Sequence, residues 1–256
     1  MEEASETETA VVTGIEDDEV VDLDVAQMCA VVSGFVSESA TKFKGEVFSS
    51  PDKMIRIALL AIETDAKCCV EIGVFGGRCL MALAAASKVL TETRKKGTAM
   101  AGHSLAIGID PFSKTFLVRG TYESTAYDPA TDWEALCNET KYRISCAGLS
   151  DYVKIAKKAS TEASNMFEVG SIDVLHQDGD TSEKNMKLEV GLFAERVRVG
   201  GYWVMSNANI VNSLAAQRLL TDECGFCLCE VHESWKIFVK HSLPKGKFRR
   251  GVLVVV

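Results

Sequence analysis

Residues 69–77 read Cys69-Val70-Glu71-Ile72-Gly73-Val74-Phe75-Gly76-Gly77, and residues 106–111 read Ala106-Ile107-Gly108-Ile109-Asp110-Pro111. Each is a short apolar run that ends in an acid or a glycine turn, the pattern of a buried strand meeting a loop. The first places Glu71, Gly73, Gly76 and Gly77 at the end of one strand. The second places Asp110 at the end of the next. In a parallel sheet both turns open at the carboxyl edge, where such folds bind ligands. The pair therefore points to a cofactor that contains a nucleoside.

Outward from this pair, strands alternate with helices. Ser49-Ser50-Pro51-Asp52 predicts a helix to Ile62, with Ser50 as cap, Pro51 in the first turn and a stripe of Met54, Ile57, Ala58 and Ala61. Residues 25–48 predict an N-terminal helical cap. A helix from Gly76 to about Thr91 follows the first strand, and residues 92–103 read as a surface insertion. The long segment 111–130 carries Phe112, Phe116, Arg119, Tyr122 and Tyr127, and suits either a lid or a surface excursion. Thr131-Asp132-Trp133-Glu134 matches a capping box.

Further strands are expected at Tyr152–Ala156 and Ile172–Asp178, a short helix at Ser160–Phe167, and a helix from Glu183 to Val197 with Met186, Val190, Phe193 and Val197 on one face. Gly200-Gly201 turns into Tyr202–Asn207, a helix covers 211–220, and strands Phe226–Val231 and Trp235–Val239 close the chain. The expected fold is α/β: a doubly wound, mostly parallel, seven-stranded sheet closed by an antiparallel hairpin. That ending differs from the usual dinucleotide-binding arrangement.

The bulk properties fit one soluble domain. The chain has 256 residues, 47% apolar and 25% charged, and no apolar run of membrane-spanning length. Ten of its 36 acids lie in residues 1–24, which hold no Lys or Arg, so the remainder balances 26 acids against 28 bases. Residues 1–24 read as a disordered acidic leader, and 25–256 as a single domain. Nucleic-acid binding and membrane association are not expected.

Nine cysteines without a secretory signal indicate a reducing, cytoplasmic setting. Cys224, Cys227, Cys229 and His232 have the spacing of a soft-metal site. The run also reads as a strand, in which Cys224 would not share a face with the other two cysteines, so buried thiols are preferred. The basic segment 245–250 precedes an apolar end, 251–256, suited to an edge strand or to packing on a partner; a homodimer is one candidate assembly.

The glycine spacing is Gly-x-x-Gly-Gly, short of the G-x-G-x-x-G pyrophosphate fingerprint, so Asp110 is the stronger half of the signal. A carboxylate there can accept both ribose hydroxyls; its bland alternative is a loop acid or helix cap. Together with Ile172-Asp173-Val174-Leu175-His176-Gln177-Asp178-Gly179-Asp180 and Arg198-Val199-Gly200-Gly201-Tyr202-Trp203-Val204-Met205-Ser206-Asn207, the order of motifs resembles class I S-adenosylmethionine-dependent methyltransferases. The likeness is greatest to the small-molecule O-methyltransferase branch of catechol, caffeoyl-CoA and macrocin O-methyltransferases, and covers about residues 49–240.

That resemblance implies S-adenosylmethionine as cofactor, a small hydroxylated substrate and Mg2+ as a candidate ion. It places Glu71, Gly73, Gly76 and Gly77 by the methionine portion, Asp110 on the ribose and Ser160 near the adenine, with Ala159 where an Asp is common. It also makes Asp178 and Asn207 metal ligands, with Asp178 touching cofactor and substrate. Two departures stand out. Ser206 replaces an acidic metal ligand, and Thr181, where the family usually carries Lys or His, cannot act as a base near neutral pH. Asp180 either supplies a second catalytic carboxylate or caps the next helix. His176 reads as a satisfied buried histidine rather than a base. The alternative to an enzyme is a catalytically degenerate methyltransferase fold that binds a ligand or partner; a nicotinamide-dependent dehydrogenase is disfavoured by the glycine spacing and the closing hairpin.

Overall fold

The computed structural model describes residues 25–42, 49–97, 102–113 and 131–242. The acidic leader, most of the 111–130 segment and the basic-then-apolar tail lie outside the described residues.

The first two helices are α1 (Val25–Lys42) and α2 (Pro51–Glu63). Ser50 caps α2 by accepting a bond from the Lys53 amide at 3.2 Å, and Pro51 occupies the first turn, where its missing N–H costs nothing. The predicted stripe of Met54, Ile57, Ala58 and Ala61 is buried. Strand β1 (Cys68–Ile72) follows, then α3 (Arg78–Gly97) and β2 (Leu105–Ile109). After α4 (Trp133–Cys146) come β3 (Val153–Ala156), a single turn α5 (Ser160–Ala163), β4 (Ile172–Gln177) and α6 (Glu183–Phe193). The chain continues through β5 (Val197–Ser206) and α7 (Leu214–Arg218), and β6 (Phe226–Val231) and β7 (Trp235–Lys240) complete the sheet.

The sheet order is β3-β2-β1-β4-β5-β7-β6. Strands β1 to β5 pair in parallel, whereas β7 runs antiparallel to both β5 and β6. The expected doubly wound sheet with a closing hairpin is therefore observed. The chain winds outward from β1 in both directions, so a crevice opens where β1 and β4 lie side by side. Side-chain alternation along β1 divides the core in two. Cys69 joins Val174, Val204, Leu60 and Leu80 under α2 and α3. Val70 and Ile72 face Met186, Val190, Phe193 and Trp203 under α6.

Four expectations are corrected. Residues 92–97 continue α3 rather than forming a loop. Arg94 anchors this extra turn, its Nε donating to Asp65 Oδ1 at 3.0 Å and its Nη2 to the Ala66 carbonyl at 3.0 Å. The cap of α4 is Asp132, one residue later than the capping box placed it. Its Oδ1 accepts from Glu134 N at 3.1 Å and Ala135 N at 3.0 Å. Val197 belongs to β5, not to the preceding helix, and pairs with Ile172; β5 then kinks where Gly200 takes φ 78°. Residues 211–223 are not one helix, since α7 is flanked by a 3-10 turn (Val211–Ser213) and a π turn (Leu219–Glu223).

Candidate active site

The carboxyl ends of β1, β4 and β5 converge on one edge of the crevice. Asp178 N donates to the Ile72 carbonyl at 2.8 Å, and Gly73 N to the Ile109 carbonyl at 2.9 Å, so the strand ends are stitched one residue past the sheet. Gly73 has φ 87°, and a Cβ there would lie 2.4 Å from the Asp178 carbonyl oxygen. Only glycine lets β1 and β4 meet this closely. Gly77, at φ 76°, is closed in by Thr140 in the same way, 2.7 Å from an added Cβ. Gly76 differs. A Cβ on it would meet only the Arg143 guanidinium, at 3.6 Å, so this side of the turn stands open.

Asp110 holds that turn from within. Its Oδ2 accepts from Val74 N at 2.9 Å and Phe75 N at 3.0 Å, and its Oδ1 from Phe112 N at 2.7 Å. Burial pushes the carboxyl's pKa up, and these three bonds pull it back down. Oδ2 is filled; Oδ1 keeps one lone pair for a ligand. Two-oxygen capture of a ribose, as the sequence suggested, would require the turn to let go. Phe75 (φ 46°), Phe112 (φ 45°) and Asn207 (φ 53°) are three of the four described non-glycine residues at positive φ, and all lie in these edge turns. Bulky residues held there mark stored strain, which concentrates at functional sites.

Beneath the turn, on the α2–α3 face, runs a buried polar chain. Glu71 and His176 are directly paired across β1 and β4. His176 Nδ1 lies 3.0 Å from Glu71 Oε1, and its Nε2 lies 2.9 Å from Ser206 Oγ. Lys53 Nζ donates to the same Ser206 Oγ at 2.9 Å and to Asp178 Oδ2 at 3.0 Å. An ammonium can only donate, so Ser206 accepts from Lys53, and its own hydroxyl hydrogen is left for His176 Nε2. Nδ1–H then points at Glu71. Every member has a role, which makes His176 the satisfied buried histidine expected from the sequence. Burial raises the Glu71 pKa, opposed by the bond from His176, and its second oxygen, Oε2, is buried without a hydrogen-bond partner. Lys53 is 6% exposed. Burial disfavours its charge, yet its pKa is raised, because Asp178, Cys79 and Glu71 together outweigh the desolvation.

The remaining candidates sit around this core. Both Asp180 oxygens are committed to Ser182, accepting from its amide at 2.8 Å and its hydroxyl at 3.0 Å. Ser182 is itself the cap of α6, accepting from Asn185 N at 3.3 Å, so Asp180 braces the cap rather than serving as it. Ser160 opens α5 and bonds to the buried Glu189, whose carboxyl burial pushes up to about 7 against bonds from Gln177, Ser160 and Asn185. Asn207 ends β5 in the left-handed conformation. The Thr181 side chain is buried, and its carbonyl accepts from Asn212 Nδ2 at 3.3 Å.

The Cys224–His232 run does not converge. Cys224 is buried in the α6-side core, Cys227 and Cys229 are exposed, and His232 stacks on Trp235 at 3.5 Å between ring centroids. All nine cysteines are free. Among the described residues, the His, Cys, Asp and Glu side chains close enough to share an ion are Glu71, Cys79 and His176. Burial raises the Cys79 pKa to about 12. An apolar cavity of about 160 Å³, lined in part by Val31, Phe35, Val89 and Leu149, lies toward the other end of α3 and shares no residue with this site.

Sequence reasoning assigned Lys53, in the first turn of α2, no role. One signal was available: a cation at a helix N-terminus opposes the macrodipole and calls for a compensating partner.

Residues 70–208, just over half of the chain, match the sequence profile of a family described as "Methyltransferase domain". No curated protein matches at a significant level. Among solved structures, the O-methyltransferase NovP is 13% identical with a TM-score of 0.59, over 85% of this chain and 98% of that one. The O-methyltransferase TomG from Streptomyces achromogenes, in complex with SAM, is 12% identical with a TM-score of 0.51, over 82% and 90%. The O-methyltransferase from Bacillus cereus, in complex with SAH, is 14% identical with a TM-score of 0.51, over 82% and 91%. At such identities the likeness is one of fold.

Proposed function

We propose, from the premise that this chain belongs to the methyltransferase-domain family, that it transfers a methyl group from S-adenosylmethionine (SAM) to a hydroxyl oxygen of a small molecule. The observation that carries this reading is the open Gly76 side of a strained glycine turn, set beside a buried carboxylate with an unpartnered oxygen. The residues present suit the cofactor. Glu71 Oε2 needs a donor, and the methionine ammonium would supply a charge-assisted one. Asp110 Oδ1 offers one acceptor to a ribose hydroxyl, and Phe75 packs edge-on to Trp133, 6.3 Å between centroids, as an apolar wall.

The cofactor, when bound, supplies a sulfonium-activated methyl. What the chain must add is alignment of the acceptor oxygen, which alone can contribute several kcal/mol, about 7–11 in well-oriented systems. In this reading Asp178, whose side chain is 21% exposed, takes the proton leaving the acceptor and passes it to solvent. His176 and Glu71 hold Ser206 and the strand ends in register. A divalent cation does not suit this donor set. Mg2+ takes oxygen ligands in near-octahedral geometry, and here an ammonium already holds the Asp178 carboxylate, while neutral Ser206 replaces an anion.

The test is calorimetry and thermal shift with SAM, with its demethylated product S-adenosylhomocysteine (SAH) and with NAD. SAM and SAH should bind and NAD should not. Gly76→Leu should lose binding while keeping its melting temperature, because the position is open and free of backbone strain. NAD binding in place of SAH would overturn the assignment. A second reading, a non-catalytic binding protein, draws on Thr181 and Ser206 standing where a base and an acid are usual. Methyl transfer to any member of a panel of catechols, phenols and sugars would exclude it.

A further inference from the structure

Lys53 reaches the carboxyl edge from outside the sheet, from the first turn of α2. Its Nζ lies 3.0 Å from Asp178 Oδ2 and 2.9 Å from Ser206 Oγ. Asp178 and position 206 are the places that the sequence comparison gave to ligands of a divalent ion. One therefore holds the ammonium as an ion pair, and the other holds it through a neutral hydroxyl. The exchange is consistent in charge: a site with one carboxylate fewer holds a cation with one charge fewer. An ammonium has three donors, and two are spent on Asp178 and Ser206. The third has no acceptor among the described residues, although the side chain is only 7% exposed.

We propose that Lys53 is the resident cation of this site, a tethered ammonium that holds the acceptor oxygen with its third N–H in place of a metal ion. The proposal rests on the methyl-transfer reading. In the step it serves, the acceptor oxygen forms a bond to the methyl carbon as the carbon–sulfur bond breaks. The bonding pair stays on sulfur, which becomes a neutral thioether. The hydroxyl proton passes to the Asp178 carboxylate, and Lys53 remains protonated throughout. The acceptor it suits is a phenol or enol, whose hydroxyl is acidic enough for a fixed positive neighbour to favour its ionised form and hold it in line before the methyl moves. A tethered cation needs no uptake from solution, so chelators should leave the protein unaffected.

The experiment titrates Mn2+ into the full-length protein, with and without SAH, and follows free Mn2+ by electron paramagnetic resonance. The wild type should take up no Mn2+ at micromolar concentration, and EDTA should leave SAH affinity unchanged. The double variant Lys53→Met, Ser206→Asp removes the ammonium and restores the second carboxylate, and it should bind Mn2+. Uptake of one Mn2+ per wild-type chain would overturn the proposal, and this arm does not depend on how the variant folds. SAH binding is read in the same samples. Its loss would count against the cofactor reading and leave the metal result standing. With a phenolic acceptor from the panel, Lys53→Met should lower kcat by about 100-fold, the scale of losing alignment of a reacting atom by about 1 Å, and leave SAH affinity within about threefold. An unchanged kcat would also overturn the proposal.

Discussion

Strand β4 carries an aspartate near each end, and the two live in different chemistry. Asp173, at the amino edge, is saturated by the protein's own donors. Its Oδ2 accepts from Lys67 N at 2.8 Å and Cys68 N at 2.9 Å, and its Oδ1 takes the Arg198 guanidinium. A Cβ on Gly201 would lie 2.8 Å from the Asp173 carbonyl, so the backbone is closed there too. Asp178, just past the carboxyl end, has one lysine for a side-chain hydrogen-bond partner and stays partly open to solvent. One end is a staple and the other is left open, although the residue type is the same and both lie on or beside β4. Two buried lysines repeat the contrast. Lys240 donates to the Ala194 and Val197 carbonyls, both at 2.7 Å, and desolvation lowers its pKa. Lys53 meets a carboxylate and its pKa is raised. Burial alone does not single out a candidate functional charge; a place beside a carboxylate that is still open to solvent does.

The largest predicted effect lies at the closed end. Asp173→Ala strands the Arg198 guanidinium and two backbone amides, and should cost about 3–5 kcal/mol in urea unfolding. The fraction that remains folded should still bind SAH. A loss under about 1 kcal/mol would erase the distinction between the two ends, because surface substitutions already reach that range.

Next comes Glu189, near the open edge. The folded carboxyl keeps its proton to about pH 7, whereas the unfolded one ionises near 4.5. The folded state therefore binds more protons in that window, so stability falls as pH rises through it and is level on either side. Glu189→Gln removes this slope. Unfolding free energies at several pH values should show the wild type losing up to about 3 kcal/mol relative to the variant. Parallel curves would contradict the assignment.

Lys240→Met should cost about 1–2 kcal/mol, as two buried carbonyls lose their donor while a desolvated charge is removed. It should leave Mn2+ and SAH titrations untouched. The smallest effect on stability belongs to Lys53→Met, within about 1 kcal/mol, because Asp178 can be hydrated once its partner leaves. The two lysines thus exchange rank between stability and catalysis, and equal ranks in both assays would break the comparison.

The architecture was legible in the sequence because β1 and β2 are short, largely apolar runs that end in glycine or acidic turns, and the helical stripes of α2 and α6 are regular. The errors fell where local signals compete. Thr131 and Asp132 can both cap a helix, and Asp132 is the residue that accepts from the first-turn amides of α4. Val197 continues the apolar period of α6 but is drawn into β5 by Ile172. In the site, Glu71, Asp110 and Asp178 were visible as acids at strand ends. The polar chain that links Glu71 to Asp178 was not. Lys53 reaches position 178 across 125 residues of sequence, and no local pattern encodes that contact.

The most direct test is a calorimetric titration of SAH into EDTA-treated wild-type protein, repeated with excess Mg2+. One molecule should bind per chain, with the same affinity in both. Absence of binding, or binding that appears only with Mg2+, would contradict a glycine-turn cofactor site served by its own lysine.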